Sequence, residues 1–165
     1  MLDDGNSPRD VVARPSPLPP PAAQLAALMP TLSSRDRDAL AARFKERRLA
    51  TGECLWRQHE AADSIAVLVA GRLVSTLEDE AGTSEVVSEG NMLGEVATLT
   101  SESRASTVTA PAPAAVFVLD AAALADLRRR QPALVLELSL LAMRYMSHRL
   151  EHVSNRIWET RCRMI

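Results

Sequence analysis

The run of short segments between residues 48 and 119 constrains the fold more than any other feature of this chain. Each segment is apolar or alternating, and glycine, proline or acidic residues separate it from the next. This pattern is typical of β-strands bounded by turns. The predicted strands cover residues 53–57, 64–70, 72–77, 84–87, 106–109 and 115–119, and residues 79–82 form a predicted hairpin turn. Many short strands with almost no helix between them favour a double-sheet jelly roll over a parallel sheet.

Helical patterns flank this strand region on both sides. Ser33 or Ser34 is predicted to cap an N-terminal helix that runs to about residue 47. Asp120 is predicted to cap a short helix that ends near residue 130, and Pro132 to open a long C-terminal helix. The predicted fold is therefore mainly β: a double-stranded β-helix, or jelly roll, with an N-terminal helix and a long C-terminal helix.

Composition divides the chain into three parts. Residues 1–30 contain seven prolines among small and polar residues, which predicts a disordered Pro-rich lead. We interpret this lead as a stiff spacer rather than as a ligand for an aromatic-lined groove. Residues 31–131 are predicted to form the β-barrel with its flanking helices. Residues 132–165 are predicted to form a lid or dimerisation helix.

Length and charge exclude several classes of protein. A chain of 165 residues is long enough for one domain with a core. Its 19 basic and 21 acidic residues give a net charge of −2, which provides no electrostatic footprint for nucleic acid. The two cysteines are too few for a disulfide framework and suit a reducing compartment. Since no stretch reaches the roughly 18 apolar residues of a membrane span, we expect a cytoplasmic chain without membrane insertion.

Residues 94–107 hold the most informative motif, Gly-Glu-Val-Ala-Thr-Leu-Thr-Ser-Glu-Ser-Arg-Ala-Ser-Thr. The guanidinium of Arg104 is a planar fork of donors that can meet two oxygens of a cyclic phosphodiester at once. Glu95 can accept a hydrogen bond from the free 2′-hydroxyl of the adjacent ribose. Small residues at positions 94, 97 and 105 let backbone N–H groups approach the phosphate. The motif thus suits an anionic sugar phosphate.

This motif resembles the phosphate-binding cassette of the cyclic nucleotide-binding domain family, whose members include the catabolite activator protein and the regulatory subunits of protein kinase A. The family pattern is Phe-Gly-Glu-Leu-Ala-Leu, then Arg-Ala-Ala-Thr after a few residues. Here it reads Leu93-Gly94-Glu95-Val96-Ala97-Thr98, then Arg104-Ala105-Ser106-Thr107. Residues 50–63 and 65–74 are also similar to the family, so that the resemblance spans about residues 30–157.

The resemblance implies a regulatory domain that senses a cyclic nucleotide, is not an enzyme and needs no cofactor or metal. It implies a helical turn from Glu95 to about residue 99 and a ligand site made of Gly94, Glu95, Val96, Ala97, Arg104, Ala105 and Ser106. Members selective for cyclic GMP often carry Thr or Ser directly after the arginine. The chain has Ala105 there, which favours cyclic AMP. One departure is Thr98, whose hydroxyl replaces an apolar side chain.

The expected mechanism is a switch in which ligand capture pulls the cassette inward and the C-terminal helix moves over the base. Tyr145, Ser147 and His148 are the candidate lid residues. Replacing Arg104 with alanine is expected to abolish binding and leave the fold intact, because only an ion contact would be lost.

The C-terminal helix also predicts a homodimer. Met146, Leu150, Val153 and Ile157 recur at intervals of four, three and four residues, the spacing of a coiled-coil seam. A helix of about 28 residues would be roughly 42 Å long and would overhang a barrel of this size.

Three alternatives bear on the function. A jelly roll can be a metal-dependent cupin, but the strand region contains a single histidine, His59, and fails on ligand count. His148 and His152 share a helix face, which we interpret as solvated. Two other classes stay open: an interaction module with an empty pocket, and a truncated Crp/Fnr-type transcription regulator. Only six residues follow Glu159, so we expect a sensor without the helix-turn-helix effector.

Overall fold

The computed structural model describes residues 18–78 and 82–162, and for residues 149, 152, 153 and 155–162 it describes the backbone only. Five helices and eight strands are described within these ranges. In chain order they are α1 Pro21–Leu28, α2 Ser34–Ala41, β1 Lys45–Leu49, β2 Cys54–Trp56, β3 Ser64–Ala70, β4 Leu73–Thr76, β5 Ser84–Val87, β6 Met92–Leu93, α3 Glu95–Thr100, β7 Thr107–Thr109, β8 Ala114–Asp120, α4 Ala121–Arg130 and α5 Pro132–Cys162.

The strands form two four-stranded antiparallel sheets, one in the order β1-β8-β3-β6 and the other in the order β2-β7-β4-β5. Side chains from the inner faces of both sheets pack into one core cluster, which includes Leu68, Leu73, Val108 and Val116. The predicted jelly roll, with helices on both sides of the strand region, is confirmed.

Strand β3 is buried on both faces, which explains its continuous apolar sequence. Ala66 and Leu68 point into the core between the sheets. Ile65, Val67 and Val69 point the other way, into a second cluster formed with the helices. Because successive side chains of a strand alternate between its faces, one strand joins the two layers. The helices α1, α2, α4 and α5 therefore cover the outer face of the first sheet, and the second sheet stays open to the cavity described below.

Most predicted elements lie where the sequence indicated. The strands at 64–70 and 84–87 match in full, and the helical cassette turn is α3. Ser33 accepts from the backbone N–H of Asp36 and Asp120 from that of Ala123, as predicted for the two helix caps. Strands β4 and β5 pair as a hairpin requires, while most of the predicted turn at 79–82 falls outside the described residues.

The predicted N-terminal helix, which extends to about residue 47, is too long. The observed helix α2 ends at Ala41, and residues 45–49 form strand β1. The segment Lys45–Leu49 is mostly charged and exposed, so its apolar pattern carries no strand signal. Its backbone pairs with β8 over five residues. Pairing with a distant strand therefore outweighs the local helical preference.

The prediction that residues 1–30 form a disordered Pro-rich lead is wrong for the last third of this segment. Residues 21–28 form helix α1, with Pro21 in the first turn, where a fixed φ and a missing N–H suit a helix start. Leu25 is 2% exposed and Met29 is 3% exposed, and both belong to the cluster under the helices. The proline run thus precedes a helix that packs on the barrel. Residues 1–17 lie outside the described residues, and the three-part domain division stays a prediction.

The burial of Leu25 predicts a role for α1 in stability. Replacing Leu25 with alanine removes a fully buried side chain and should lower the free energy of unfolding by about 2–4 kcal/mol. Leu28, on the same helix, is only partly buried, so Leu28→Ala should cost clearly less. Chemical denaturation of both variants measures the difference. Equal and small effects would show that α1 is not packed on the barrel.

Candidate functional site

A left-handed glycine starts the cassette. Gly94 follows β6 directly and has a φ of +73°, which carries the chain into α3. A β-carbon at this position would meet Nη1 of Arg104, would lie 2.9 Å from Cη2 of Trp56, and would lie 3.1 Å from the carbonyl oxygen of Ser64. Both the backbone angle and the lack of space therefore require glycine here. The tight fit brings the guanidinium of Arg104 against the turn.

A cavity of about 500 Å³ opens beside the cassette. Its walls come from both sheets and from α5: Trp56, Ser75 and Val108 lie on the strands, and Met146 and Leu150 lie on the helix. All seven residues predicted to bind ligand line this cavity, namely Gly94, Glu95, Val96, Ala97, Arg104, Ala105 and Ser106. The volume is of the size that small-molecule sites generally have.

Arg104 is buried and held on several sides. The residue is 2% exposed, and its Nη2 donates to Oδ1 of Asp63 at 3.2 Å and to Oγ of Ser64 at 3.0 Å. The guanidinium also stacks on the ring of Trp56, 3.8 Å from the ring centroid. These contacts fix the plane of the guanidinium before any ligand arrives.

One donor of this guanidinium is left over. The Nε of Arg104 is buried and has no hydrogen-bond partner among the described residues, although such a donor is costly to leave unpaired. Burial lowers the pKa of Arg104 and the Asp63 carboxylate opposes this shift, while an arginine stays protonated at physiological pH. Arg104 is therefore a buried cation that is paired with Asp63 and keeps one donor unused.

The expectation that Arg104 makes only an ion contact needs correction. Its stacking on Trp56 and its bond to Ser64 tie the cassette to β2 and β3, so the side chain also contributes to packing. Sequence reasoning missed this because the partners lie 40 residues or more away along the chain. The one signal in the sequence that could have indicated this packing is the aromatic residue Trp56, on which an arginine can stack.

Glu95 supplies a negative charge beside the cassette. It occupies the first turn of α3 and is 4% exposed, a position in which a carboxylate is stabilised by the helix dipole. Burial raises the pKa of Tyr145 on α5, and the nearby Glu95 carboxylate raises it further. The cassette and the C-terminal helix therefore approach each other at these two side chains.

The family model described as cyclic nucleotide-binding domain matches residues 46–131. The chain belongs to this family. The match covers β1 through α4, which includes both sheets, the cassette and Arg104.

Known proteins similar to this cyclic nucleotide-binding domain include a curated relative and solved structures. Patatin-like phospholipase domain-containing protein 7 of Mus musculus is 33% identical over 90 residues, which is 53% of this chain and 7% of the relative. The chain thus spans a small fraction of that protein's length. A cyclic nucleotide-binding domain from Methylobacillus flagellatus has a TM-score of 0.75 at 15% identity, over 84% of this chain and 83% of that one.

A further structural neighbour is the regulatory domain of Toxoplasma gondii PKA, solved with cAMP. It has a TM-score of 0.64 at 19% identity, over 77% of this chain and 49% of that one. At such identities, the likeness to both solved structures concerns the fold alone.

The residues of α5 that line the cavity differ from the predicted lid residues. Ser147 and His148 are exposed and are not among the residues that line the cavity. Met146 and Leu150 line it instead. Tyr145 lies beside it and donates from its hydroxyl to the carbonyl oxygen of Gly90 at 3.0 Å. The helical period explains the difference, because residues 146 and 150 share a face that residues 147 and 148 do not.

The departure at Thr98 is accommodated by hydrogen bonds. Thr98 is 5% exposed, and its Oγ1 lies 2.8 Å from the carbonyl oxygen of Ser64 and 2.7 Å from that of Gly94. The same hydroxyl oxygen accepts from Nη1 of Arg104 at 3.4 Å. A threonine therefore links the cassette helix to β3 and to the arginine, where an apolar residue would only pack.

The described residues contain neither a cluster of metal ligands nor a membrane-spanning helix. Among them, no three His, Cys, Asp or Glu side chains are grouped so that they could hold a metal ion. No helix in the part of the chain that the structure describes has both the length and the hydropathy needed to cross a bilayer.

Proposed function

We propose that this domain binds a cyclic nucleotide through Gly94, Glu95, Val96, Ala97, Arg104, Ala105 and Ser106. The observation that carries the proposal is Arg104, a cation that lines a cavity of about 500 Å³ and whose buried Nε has no hydrogen-bond partner among the described residues. A phosphate oxygen in this cavity would meet the guanidinium with a charge-assisted hydrogen bond. The first turn of α3 faces the same cavity, and its backbone N–H groups are suited to an anion.

Other residues of the cavity wall are suited to the ribose and the base of the ligand. Glu95 is the acceptor for the ribose 2′-hydroxyl. Trp56, Val108, Met146 and Leu150 give the cavity its apolar walls, which suit the flat faces of a purine. At position 105 the chain offers only a methyl group, and the neighbouring hydroxyl of Ser106 lies 2.7 Å from that of Ser75. With no hydroxyl at position 105 for a guanine amino group, cAMP is favoured over cGMP. We assign no catalytic residue, cofactor or metal, and a cytoplasmic location.

The signal passes from the cassette to the C-terminal helix. Tyr145 and Glu95 approach each other across α5 and α3, and Tyr145 also bonds to the loop before β6. A ribose hydroxyl that donates to Glu95 would weaken the effect of this carboxylate on Tyr145, and the base would cover the faces of Met146 and Leu150. Ligand binding can shift α5 only to the extent that the two helix positions differ in affinity.

A homodimer through α5 is part of this proposal. Leu136, Met143 and Leu150 are 60%, 56% and 68% exposed and lie seven residues apart, so they form one apolar stripe along the helix, which reaches the cavity at Leu150. Of the seam predicted from sequence, Met146 and Leu150 are exposed, and the side chains of Val153 and Ile157 fall outside the described residues.

A charge in this stripe should separate the dimer. Met143→Glu places a carboxylate at its centre and is expected to yield monomers at a protein concentration at which the parent sediments as a dimer. His148→Glu adds the same acid at an exposed position outside the stripe and should leave the dimer intact. Sedimentation equilibrium measures both. A parent chain that is monomeric throughout would contradict the stripe as an interface.

Titration calorimetry tests whether the domain binds a cyclic nucleotide and which one it prefers. We expect one site per chain for cAMP, weaker binding of cGMP, and no heat with linear 5′-AMP, whose phosphate is a dianionic monoester rather than the singly charged, ring-closing diester that a single arginine matches. Silence with both cyclic nucleotides would instead favour the ligand-free interaction module. Whether the domain serves as part of a longer regulator, such as a Crp/Fnr-type factor, is a separate proposal that a reading frame continuing into a basic helical domain would support.

A further inference from the structure

A second carboxylate stands on the inner face of the cavity, at its far side from the cassette. Glu85 lies on β5 directly opposite Ser75 of β4. Both residues line the cavity, and the hydroxyl of Ser75 lies 2.7 Å from that of Ser106. Side chains that are paired across two strands share one face of the sheet. The register therefore puts Glu85 on the cavity side of β5.

The alternation along β5 gives the same result independently. Val87 is two residues from Glu85, is opposite Leu73, and packs against the core between the sheets. Val86 lies between them and is 60% exposed. Because every second side chain of a strand points to the same side, Glu85 lies on the same side of β5 as Val87, where it lines the cavity and remains exposed to solvent.

The distance across the sheet suits the length of a nucleoside. Val108, Ser75 and Glu85 form one row over β7, β4 and β5, so Glu85 stands two strand spacings, or about 10 Å, from the strand that follows Arg104. Glu85 also lines a smaller cavity of about 100 Å³ together with Tyr145 of α5. A sugar phosphate held at the cassette would thus project its base toward Glu85 and α5.

We propose that Glu85 selects the base by accepting a hydrogen bond from the 6-amino group of adenine, an inference that rests on the function proposed above. A carboxylate offers acceptors only. Adenine carries an amino group at position 6, which donates to a carboxylate, whereas guanine carries a carbonyl oxygen at position 6 and has its donors at positions 1 and 2 instead. The base preference of this domain is therefore set by β5 in addition to the methyl group of Ala105.

A double-mutant-type cycle isolates the contact between Glu85 and the 6-amino group, because it combines Glu85→Ala with a cAMP analogue that lacks this amino group. Purine riboside 3′,5′-cyclic monophosphate has hydrogen in place of the 6-amino group and otherwise equals cAMP. Glu85→Ala should weaken cAMP by about 10- to 100-fold, the range for a hydrogen bond to a charged group, and should change the affinity for the analogue by less than about threefold. The cAMP-to-cGMP affinity ratio should fall by at least about tenfold. Glu85→Gln should do the same in part, because its amide can also donate to a 6-carbonyl.

Glu46→Ala is the matched control. Glu46 is an exposed strand glutamate of the other sheet, paired with Arg48 at the surface, so its loss changes the net charge equally without touching the cavity. An equal change for cAMP and its analogue in Glu85→Ala, or a larger loss for cGMP, would overturn the role of Glu85. If the parent chain binds cAMP and Glu85→Ala binds it with the same affinity, the role of Glu85 is overturned while the proposed function stands. A parent chain that binds no cyclic nucleotide would overturn both.

Discussion

Gly94→Ala is expected to destabilise the domain and abolish ligand binding together. Alanine, which has a β-carbon, would have to hold a φ of +73° at this position, at a cost of about 1–2 kcal/mol. It would also sit 2.9 Å from Trp56 and 3.1 Å from the carbonyl oxygen of Ser64, and would collide with Nη1 of Arg104. The guanidinium cannot retreat, because the ring of Trp56 lies against it.

We therefore expect a total loss of about 3 kcal/mol in the free energy of unfolding, or roughly 10 °C in Tm. Binding of cAMP should fall below detection because the phosphate donors are displaced. Thermal unfolding and calorimetry measure the two effects on the same sample.

Gly52→Ala separates strain from collision. Gly52 has a φ of +79°, and a β-carbon there meets nothing within 4 Å. Its substitution carries the backbone cost alone, about 1–2 kcal/mol, and should leave cAMP affinity unchanged. If both variants lost the same stability and both bound cAMP, the close packing around Gly94 would be wrong.

Arg104→Ala should reduce cAMP affinity by more than about 100-fold, since the positive charge and its charge-assisted hydrogen bond to the phosphate are lost. It should also lower the free energy of unfolding by about 1–2 kcal/mol, because the bond to Ser64 and the stacking on Trp56 disappear. The stability loss stays modest, since removing the unpaired Nε relieves a buried donor. Calorimetry and thermal unfolding again give both numbers.

Arg104→Lys tests the geometry of the arginine rather than its charge. Lysine keeps a positive charge but has no fork and stacks poorly on an indole. We expect affinity between that of the parent and that of Arg104→Ala, about tenfold below the parent. Affinity equal to the parent would show that any cation suffices at this position, and parent-like affinity of Arg104→Ala would remove the arginine from the site.

The candidate site could be predicted in outline because its polar groups lie close together in sequence. Glu95 and Arg104 are nine residues apart, and one glycine turn brings both to the same cavity. Trp56, Asp63 and Ser64 could not be assigned, because they reach Arg104 from other strands. Glu85 could not be assigned either, since only the β4–β5 register shows which face of the strand it occupies.

The fold was predictable where burial leaves a period in the sequence. Strand β3 and the capped helices α2 and α4 carry such a period or a capping residue. Strand β1 does not, since it lies at the edge of its sheet and four of its five residues are exposed. Helix α1 was hidden by the prolines that precede it.

By itself, the sequence determined the jelly roll and the placement of one carboxylate and one guanidinium at the same cavity beside a glycine turn, because strand alternation and local spacing are properties of neighbouring residues. Only the tertiary structure decided which side chains orient Arg104, which face of α5 closes the cavity, and that Glu85 lines the cavity. Those outcomes depend on sheet register and helix packing, which join residues far apart in the chain and leave no local pattern.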